Sequence, residues 1–117
     1  MSHTTVTMPF CILPDTPQTT ESWKILGEGV KLCMLYQDVQ SGYQVGIIHY
    51  EPGSSVPMHE HVGDEHIYVL SGSQQDERGS YPAGSYVYNP QGSKHSVKSP
   101  DGCSALIHWH KPVRFID

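Results

Sequence analysis

Two histidines and a glutamate stand at metal-ligand spacing in the middle of the chain. In the run GSSVPMHEHVGDEHIYVLSG, His59, His61 and Glu65 all fall at odd positions. Successive side chains of an extended strand point to opposite faces, so residues two apart share a face. His59 and His61 therefore project together, and Glu65 joins them if the strand or a tight bend continues to it. Two imidazoles and a carboxylate on one face predict a site for a divalent transition metal.

A fourth candidate ligand follows a turn further along the chain. His95 comes after Pro90 and Gly92 in the run PAGSYVYNPQGSKHS, and such a turn can return the chain towards the same pocket. Three imidazoles and one carboxylate would leave up to two positions open on an octahedral ion. The alternative is that His59 and His61 lie on a solvated loop, because H-x-H alone has many chance matches.

Short apolar runs separated by turn residues predict the elements that position these ligands. From Trp23 onward the runs have strand length, and Gly, Pro, Ser and Asp separate them. No stretch shows a sustained i, i+3, i+4, i+7 apolar pattern, and eleven glycines and nine prolines disfavour helices. Antiparallel strands of this kind close into a jelly roll or barrel, and ligands bind in the barrel mouth.

The chain of 117 residues is long enough for one domain with its own core. We predict an all-β fold, a small jelly-roll-like barrel over residues 21–117. Residues 1–20, rich in Thr and Pro, would form an arm that adds a strand to the barrel or to a partner. The apolar patch at residues 10–13 and the exposed strand edges of a small barrel predict a homodimer.

Charge and composition exclude several classes of partner. The net charge is −5, and the seven Lys and Arg residues are scattered without forming a basic stripe. Nucleic acids and anionic membrane surfaces require such a stripe, so neither partner is expected. No window approaches the ~18 apolar residues of a membrane span, and the N-terminus lacks the pattern of a secretory signal. A cytoplasmic location is the resulting expectation.

The other chemistry-bearing residues carry weaker signals. Cys11, Cys33 and Cys103 are odd in number and far apart, which indicates buried reduced thiols rather than disulfides. His108 and His110 share one face of the last long strand, opposite an apolar face that should pack in the core. If that parity is reversed, His108 would enter the pocket as an acid–base group. His66 is adjacent to Glu65 and should face the other way, whereas His49 lies in a strand and cannot be placed on a face.

The two ligand-bearing runs resemble the paired motifs of the cupin superfamily. The first matches G-x5-H-x-H-x3-E-x6-G at every fixed position from Gly53 to Gly72, and the second resembles G-x5-P-x-G-x2-H-x3-N from Gly84 onward. Ser99 stands where the second motif ends in Asn, which is not a ligand position. The resemblance implies a small β-barrel with the metal ligands His59, His61, Glu65 and His95.

A closer resemblance is to the cupin of ChrR-type anti-sigma factors. It is carried by the run DERGSYPAGSYVYNPQGSKH, the DGC that follows, a strand ending at Trp109, and the upstream Trp23 and GEGVKLCMLY. The match would cover most of residues 20–113. Relatives include zinc-binding regulatory domains and iron-dependent dioxygenases that cleave β-diketones or hydroxylated aryl ketones. Full-length ChrR-type proteins bind the sigma factor through a separate helical zinc domain, for which this sequence has no counterpart, so sigma binding is not expected.

The resemblance implies one divalent transition metal per chain and leaves the function open among three classes. As an enzyme, the protein would be a non-haem Fe(II) dioxygenase that acts on a small ketone, a diketone or an aromatic ketone. As a sensing or regulatory module, it would hold Zn²⁺ in a closed four-coordinate site. A metal-assisted isomerase or lyase is the third class, because fold does not determine reaction. The same ligands also accept Zn, Mn, Ni, Co or Cu.

Overall fold

The computed structural model of the protein describes residues 23–116, which form ten β-strands and no helix. The predicted arm over residues 1–20 and Cys11 lie outside the described residues. Within residues 23–116, no helix is long and apolar enough to cross a membrane. The strands are β1 (Trp23–Gly27), β2 (Val30–Gln37), β3 (Gln44–Tyr50), β4 (Ser54–Glu60), β5 (Glu65–Asp76), β6 (Gly79–Pro82), β7 (Tyr86–Asn89), β8 (Lys94–Ser99), β9 (Cys103–Trp109) and β10 (Arg114–Phe115).

The strands pair antiparallel in one sheet that curls into a half-barrel. Its order is β1-β2-β3-β9-β5-β8-β4-β10, and β6 and β7 pair with β5 outside this path. The long β5 connects the two halves of the sheet, because its first residues pair with β7 and β9 whereas its last residues pair with β6 and β8. This architecture confirms the predicted all-β fold.

Alternating burial along β9 shows how the strands divide between core and solvent. Ala105, Ile107 and Trp109 are buried, whereas the residues between them are only half-buried on the outer face. The interior is completed by apolar side chains from the neighbouring strands, among them Val30, Leu32, Ile48, Tyr50, Ile67, Val69, Val87 and Val97. The prediction that the apolar face of β9 packs in the core is confirmed.

A bulge in β5 changes which residues face the interior. Glu65 and Val69, at odd positions, are buried, and the pairing with β9 then shifts register between Val69 and Ser71. The extra residue inverts the alternation, so that Gln74 and then Asp76 turn their side chains inward. A regular strand would have placed both side chains outside.

Gly72 follows this bulge at a position that tolerates no side chain. Its φ is +70°, and a Cβ there would lie 2.0 Å from the carbonyl oxygen of Gly102. Gly53, at the other end of the first motif, also has a positive φ of +86°, but a Cβ there would meet nothing within 4 Å. Both turns therefore need glycine for their backbone, and Gly72 needs it for space as well.

These two glycines make a matched pair for a stability measurement. We expect Gly53→Ala to lower the free energy of unfolding by about 1–2 kcal/mol through backbone strain alone. Gly72→Ala should cost about 2 kcal/mol more, because the backbone must also move to clear the carbonyl. Urea denaturation of the two variants measures the difference. If both variants lost the same free energy of unfolding, the backbone at Gly102 would have to move away from a Cβ at position 72 without cost.

Candidate metal centre

Three buried imidazoles converge inside the half-barrel. His59 on β4 lies directly opposite His95 on β8 in the strand register, and His61 follows β4 in the loop that leads to β5. Their metal-binding atoms all lie within 4.8 Å of one another. The ring centroids are 4.6–5.1 Å apart, and each pair meets at a steep angle. Such edge-to-face rings, all aimed at one point, are suited to binding one ion.

Glu65 brings a carboxylate to the same point from the first residue of β5. Its Oε1 lies 2.9 Å from Nε2 of His61 and 4.0 Å from Nε2 of His95. The run from His59 to Glu65 is not one continuous strand, because β4 ends at Glu60 and β5 begins at Glu65. The expected convergence is therefore produced by the turn between β4 and β5 and not by one continuous strand.

The outer ring nitrogens of the three histidines are all hydrogen-bonded. Nδ1 of His59 donates to the carbonyl of Pro57 at 2.9 Å. Nδ1 of His61 donates to Ser93, whose hydroxyl oxygen is 2.9 Å away and itself donates to a carbonyl. Carbonyl groups only accept, so Nδ1 of each of these rings carries a proton, and in the neutral imidazole the lone pair of Nε2 points inward.

The third imidazole is held by a carboxylate. Nδ1 of His95 lies 2.9 Å from Oδ2 of Asp76, which faces the interior because of the bulge in β5. Asp76 also accepts hydrogen bonds from the Tyr81 hydroxyl and from the backbone and guanidinium of Arg78. Burial opposes ionisation of Asp76, but these contacts prevail and lower the pKa of its carboxyl to about 2. An ionised partner fixes the ring of His95 and makes its Nε2 a stronger ligand.

Glu65 is oriented by two side chains that lie beside it in the sheet. Asn89 on β7 and Trp109 on β9 are both its direct register partners, so the three side chains form a row across neighbouring strands. The amide of Asn89 donates to Oε1 at 2.8 Å, and the indole of Trp109 donates to Oε2. The guanidinium of Arg78 contacts Asn89, which connects the supports of Glu65 with those of His95.

The protonation states of the site suit a bound cation. Burial lowers the pKa of His59, so its imidazole is neutral near pH 7. Burial alone would raise the pKa of the Glu65 carboxyl, but the neighbouring histidines and Trp109 lower it below its usual value. Neutral imidazoles and an ionised carboxylate are the forms that bind a divalent metal.

Two nitrogen atoms at the centre remain without a hydrogen-bond partner. Nε2 of His61 and Nε2 of His95 are buried and find no hydrogen-bond partner among residues 23–116, and the 2.9 Å contact from His61 to Glu65 lacks hydrogen-bond geometry. Leaving a buried polar atom unpaired costs about 1–3 kcal/mol. One divalent ion between them would satisfy both nitrogens and balance the carboxylate. The residues present therefore fit a metal with His59, His61, Glu65 and His95 as ligands.

The candidate metal centre forms part of the wall of a cavity of about 220 Å³. His59, Glu65 and His95 line this cavity, whereas His61 lies behind them. Most of the other lining side chains are apolar. Leu26 and Phe115 line the cavity and are also exposed, so they lie at its opening. A ligand in the cavity would have direct access to the metal position.

The other histidines of residues 23–116 lie outside the cavity. His108 is half-buried on the outer face of the sheet, where its Nδ1 is 2.9 Å from the hydroxyl of Tyr43. The reversed parity that would bring His108 into the pocket does not occur, because its neighbours Ile107 and Trp109 take the interior positions. His66 also faces outward, as expected, and contacts Tyr86.

Several residues that support the site were not singled out from the sequence. Asp76, Asn89 and Ser93 orient ligands through contacts between strands that lie far apart along the chain. For Trp109 the sequence did contain a signal. It is the last residue of a strand with alternating apolar residues, and it lies on the apolar face that was predicted to pack in the core. Ser99, the departure from the second motif, is fully buried and donates to the carbonyl of Ser73 at 2.6 Å. This hydrogen bond connects β8, the strand that carries His95, to β5.

A small antiparallel half-barrel that holds a cluster of three histidines in its interior defines the protein as a cupin. The ChrR cupin-like domain matches residues 16–114, which is most of the sequence. The chain belongs to the ChrR cupin-like domain family, as the resemblance predicted. No curated protein is significantly similar to it.

Solved structures show the same architecture. The complex of Rhodobacter sphaeroides SigE with the anti-sigma ChrR is similar over 74% of this chain and 47% of that chain, with 27% identity and a TM-score of 0.65. A cupin-like protein of unknown function from Ralstonia eutropha is similar over 59% and 47% of the two chains, with 28% identity and a TM-score of 0.56. This chain thus spans about half the length of both.

An acetylacetone dioxygenase from Acinetobacter johnsonii is similar over more of its length. The similarity covers 94% of this chain and 85% of that chain, with a TM-score of 0.76 and 20% identity. At this level of identity the likeness shows a shared fold and leaves the reaction undetermined.

Proposed function

We propose that the protein is a metal-dependent dioxygenase that acts on a small ketone, a diketone or an aromatic ketone. The observation that carries the proposal is the position of the site, because His59, Glu65 and His95 form part of the wall of an apolar cavity. A purely structural metal site has no need of such an opening. When bound, Fe(II) would supply Lewis acidity and redox chemistry with O₂ at this wall.

The cavity favours a small and largely apolar substrate. Its volume of about 220 Å³ is below the ~300–1,000 Å³ of sites for drug-sized ligands. Side chains such as Ile48, Ile67 and Ile107 would exclude water from the reacting groups. Tyr50 also lines the cavity, and burial raises the pKa of its phenol, so the hydroxyl keeps its proton and can donate to a substrate oxygen.

Oxygen consumption tests this function. The protein is reconstituted anaerobically with Fe(II), its iron content is measured, and it is offered acetylacetone and 2-hydroxyacetophenone in an oxygen electrode. We expect uptake that depends on the ketone and is absent from the Zn²⁺-loaded protein. Stoichiometric iron without oxygen uptake on any ketone of the panel would contradict the proposal. Turnover under anaerobic conditions would instead indicate an isomerase or lyase.

A regulatory zinc module is the second candidate, and the family supports it. The chain belongs to the ChrR cupin-like domain family and is 27% identical to the matched part of the structure that contains an anti-sigma factor. In such a module His59, His61, Glu65 and His95 would close a four-coordinate zinc site. Zinc that is retained through purification and lacks an exchangeable water would favour this candidate over the enzyme.

The homodimer and the cytoplasmic location stay predictions. Exposed side chains on the outer face of the sheet support a contact between copies, among them Tyr68, Leu70, Tyr86 and Tyr88. Sedimentation velocity at several protein concentrations measures the oligomeric state. A monomer throughout would overturn the proposed dimer.

A further inference from the structure

Gln74 is a buried amide in the wall of the cavity. Its side chain is 1% exposed and lines the cavity together with Glu65 and His95. The bulge in β5 directs it inward, two residues before Asp76, which supports His95. Gln74 therefore borders the same space as the candidate metal ligands Glu65 and His95.

The acceptor atom of this amide has no partner. Oε1 of Gln74 is buried and makes no hydrogen bond with any of the described residues. A buried carbonyl oxygen without a donor destabilises the folded state, and apolar residues would fill the same space without that loss. The neighbouring Gln75 shows the contrast, since it faces outward and its amide donates to the Ser80 hydroxyl at 3.3 Å.

The Gln74 amide differs from the other polar groups in the cavity wall. Apart from the candidate metal ligands and Trp109, whose indole donates to Glu65, the polar side chains of residues 23–116 that line it are Lys24, Gln44, Tyr50 and Gln74. Lys24 is exposed and Gln44 is half-buried, whereas the phenol of Tyr50 is a donor. Gln74 therefore supplies a fully buried acceptor that a ligand hydroxyl can satisfy.

We infer that Gln74 determines specificity by accepting a hydrogen bond from a hydroxyl or enol of a small, neutral, otherwise apolar ligand. The inference rests on the proposed function, because that ligand is the substrate of the same site. A hydroxyl-bearing ligand fills the acceptor, whereas an analogue without the hydroxyl leaves it unpaired in a dry cavity. Sites built in this way discriminate strongly against the analogue that lacks the polar group.

Binding of phenol and toluene, which have nearly the same shape, measures this discrimination. Dissociation constants are determined by ligand-observed NMR for the wild type and for Gln74→Met, with the metal content held equal. The preference for phenol over toluene should fall about tenfold in Gln74→Met, the equivalent of one neutral hydrogen bond. Any contact between phenol and the metal is present in both proteins and cancels in the comparison.

The outward-facing neighbour provides the matched control. Gln75→Met changes the same residue type on the same strand and should leave the preference for phenol within about twofold of the wild type, as expected for a surface position. An unchanged preference in Gln74→Met, or an equal loss in Gln75→Met, would overturn the inference.

Thermal unfolding without ligand distinguishes a ligand-binding role of Gln74 from a purely structural one. Removing the unpaired acceptor should raise the Tm of Gln74→Met by about 3–6 °C. The second variant, Gln74→Leu, should raise it in the same direction. If Gln74 only supports the fold, both variants lower the Tm, and that result overturns the inference.

These measurements need neither oxygen nor turnover. Loss of phenol preference in a protein that consumes no oxygen would retain the inference about Gln74 and reject the dioxygenase. Oxygen uptake with an unchanged phenol preference in Gln74→Met would retain the dioxygenase and reject Gln74 as its specificity residue.

Discussion

Replacing His61 by alanine is expected to weaken metal binding more than a hundredfold. His61 is the most deeply buried of the three imidazoles, and its Nε2 is unpaired beside Glu65. Four-ligand protein zinc sites bind with about 10–16 kcal/mol, so one ligand contributes roughly 3 kcal/mol, or more than a hundredfold in affinity. Competition with a chromophoric chelator measures the dissociation constants for Zn²⁺.

His110→Ala is the matched control for this experiment. His110 is an exposed histidine at the end of β9, outside the cavity, and it contacts the rings of Tyr43 and His66. The control should bind one Zn²⁺ with the affinity of the wild type. Added Zn²⁺ should also raise the Tm of the wild type and of His110→Ala more than that of His61→Ala at the same Zn²⁺ concentration. Wild-type affinity in His61→Ala would reject this residue as a ligand.

Replacing Asp76 by asparagine should weaken metal binding without removing a ligand. The carboxylate of Asp76 accepts from Nδ1 of His95 and stays ionised, because its contacts lower the pKa to about 2. Asparagine keeps the size but loses the charge that orients and strengthens the imidazole. Changes of this kind cost about 10–100-fold in metal affinity. The same chelator competition measures the loss.

The control for Asp76 is an acid that makes no contact with the site. Asp101 is exposed in the turn between β8 and β9, and Asp101→Asn should keep wild-type affinity. Equal affinities for the Asp76 and Asp101 variants would show that the contact to His95 does not influence the metal.

The pH dependence of stability follows from the same contact. The folded-state pKa of Asp76 lies below the usual value of a free aspartate, so the carboxylate stabilises the folded state above about pH 4. That contribution is lost as the pH falls towards about 2. The difference in unfolding free energy between the wild type and Asp76→Asn should therefore shrink between pH 5 and pH 2. A constant difference over that range would contradict the assigned contact.

The ligand set could be proposed from the sequence because its spacing is local. His59, His61 and Glu65 lie within seven residues, and glycines mark the turns on either side. The arrangement of these ligands in space could not be predicted, because their spacing alone does not reveal that the chain turns after Glu60. Fold class was predictable for a similar reason, because short strands and frequent turn residues are properties of neighbouring positions.

The supports of the site could not be predicted in this way. Asn89 and Trp109 reach Glu65 because β7 and β9 flank β5, and a single sequence does not state which strands pair. Gln74 and Asp76 depend on the bulge in β5, which shifts every later residue to the opposite face. The roles of these residues depend on which strands pair and in what register, and the periodicity of a single strand does not reveal either.

X-ray absorption spectroscopy of the retained metal shows directly which atoms bind it. With His59, His61, Glu65 and His95 as ligands, the spectrum should show only nitrogen and oxygen donors, at about 2.0–2.2 Å for zinc. The scattering pattern of three imidazole rings should be present. A thiolate sulfur at about 2.3 Å, fewer than three imidazoles, or a protein that retains no metal when Fe, Mn and Zn are supplied would contradict this ligand set.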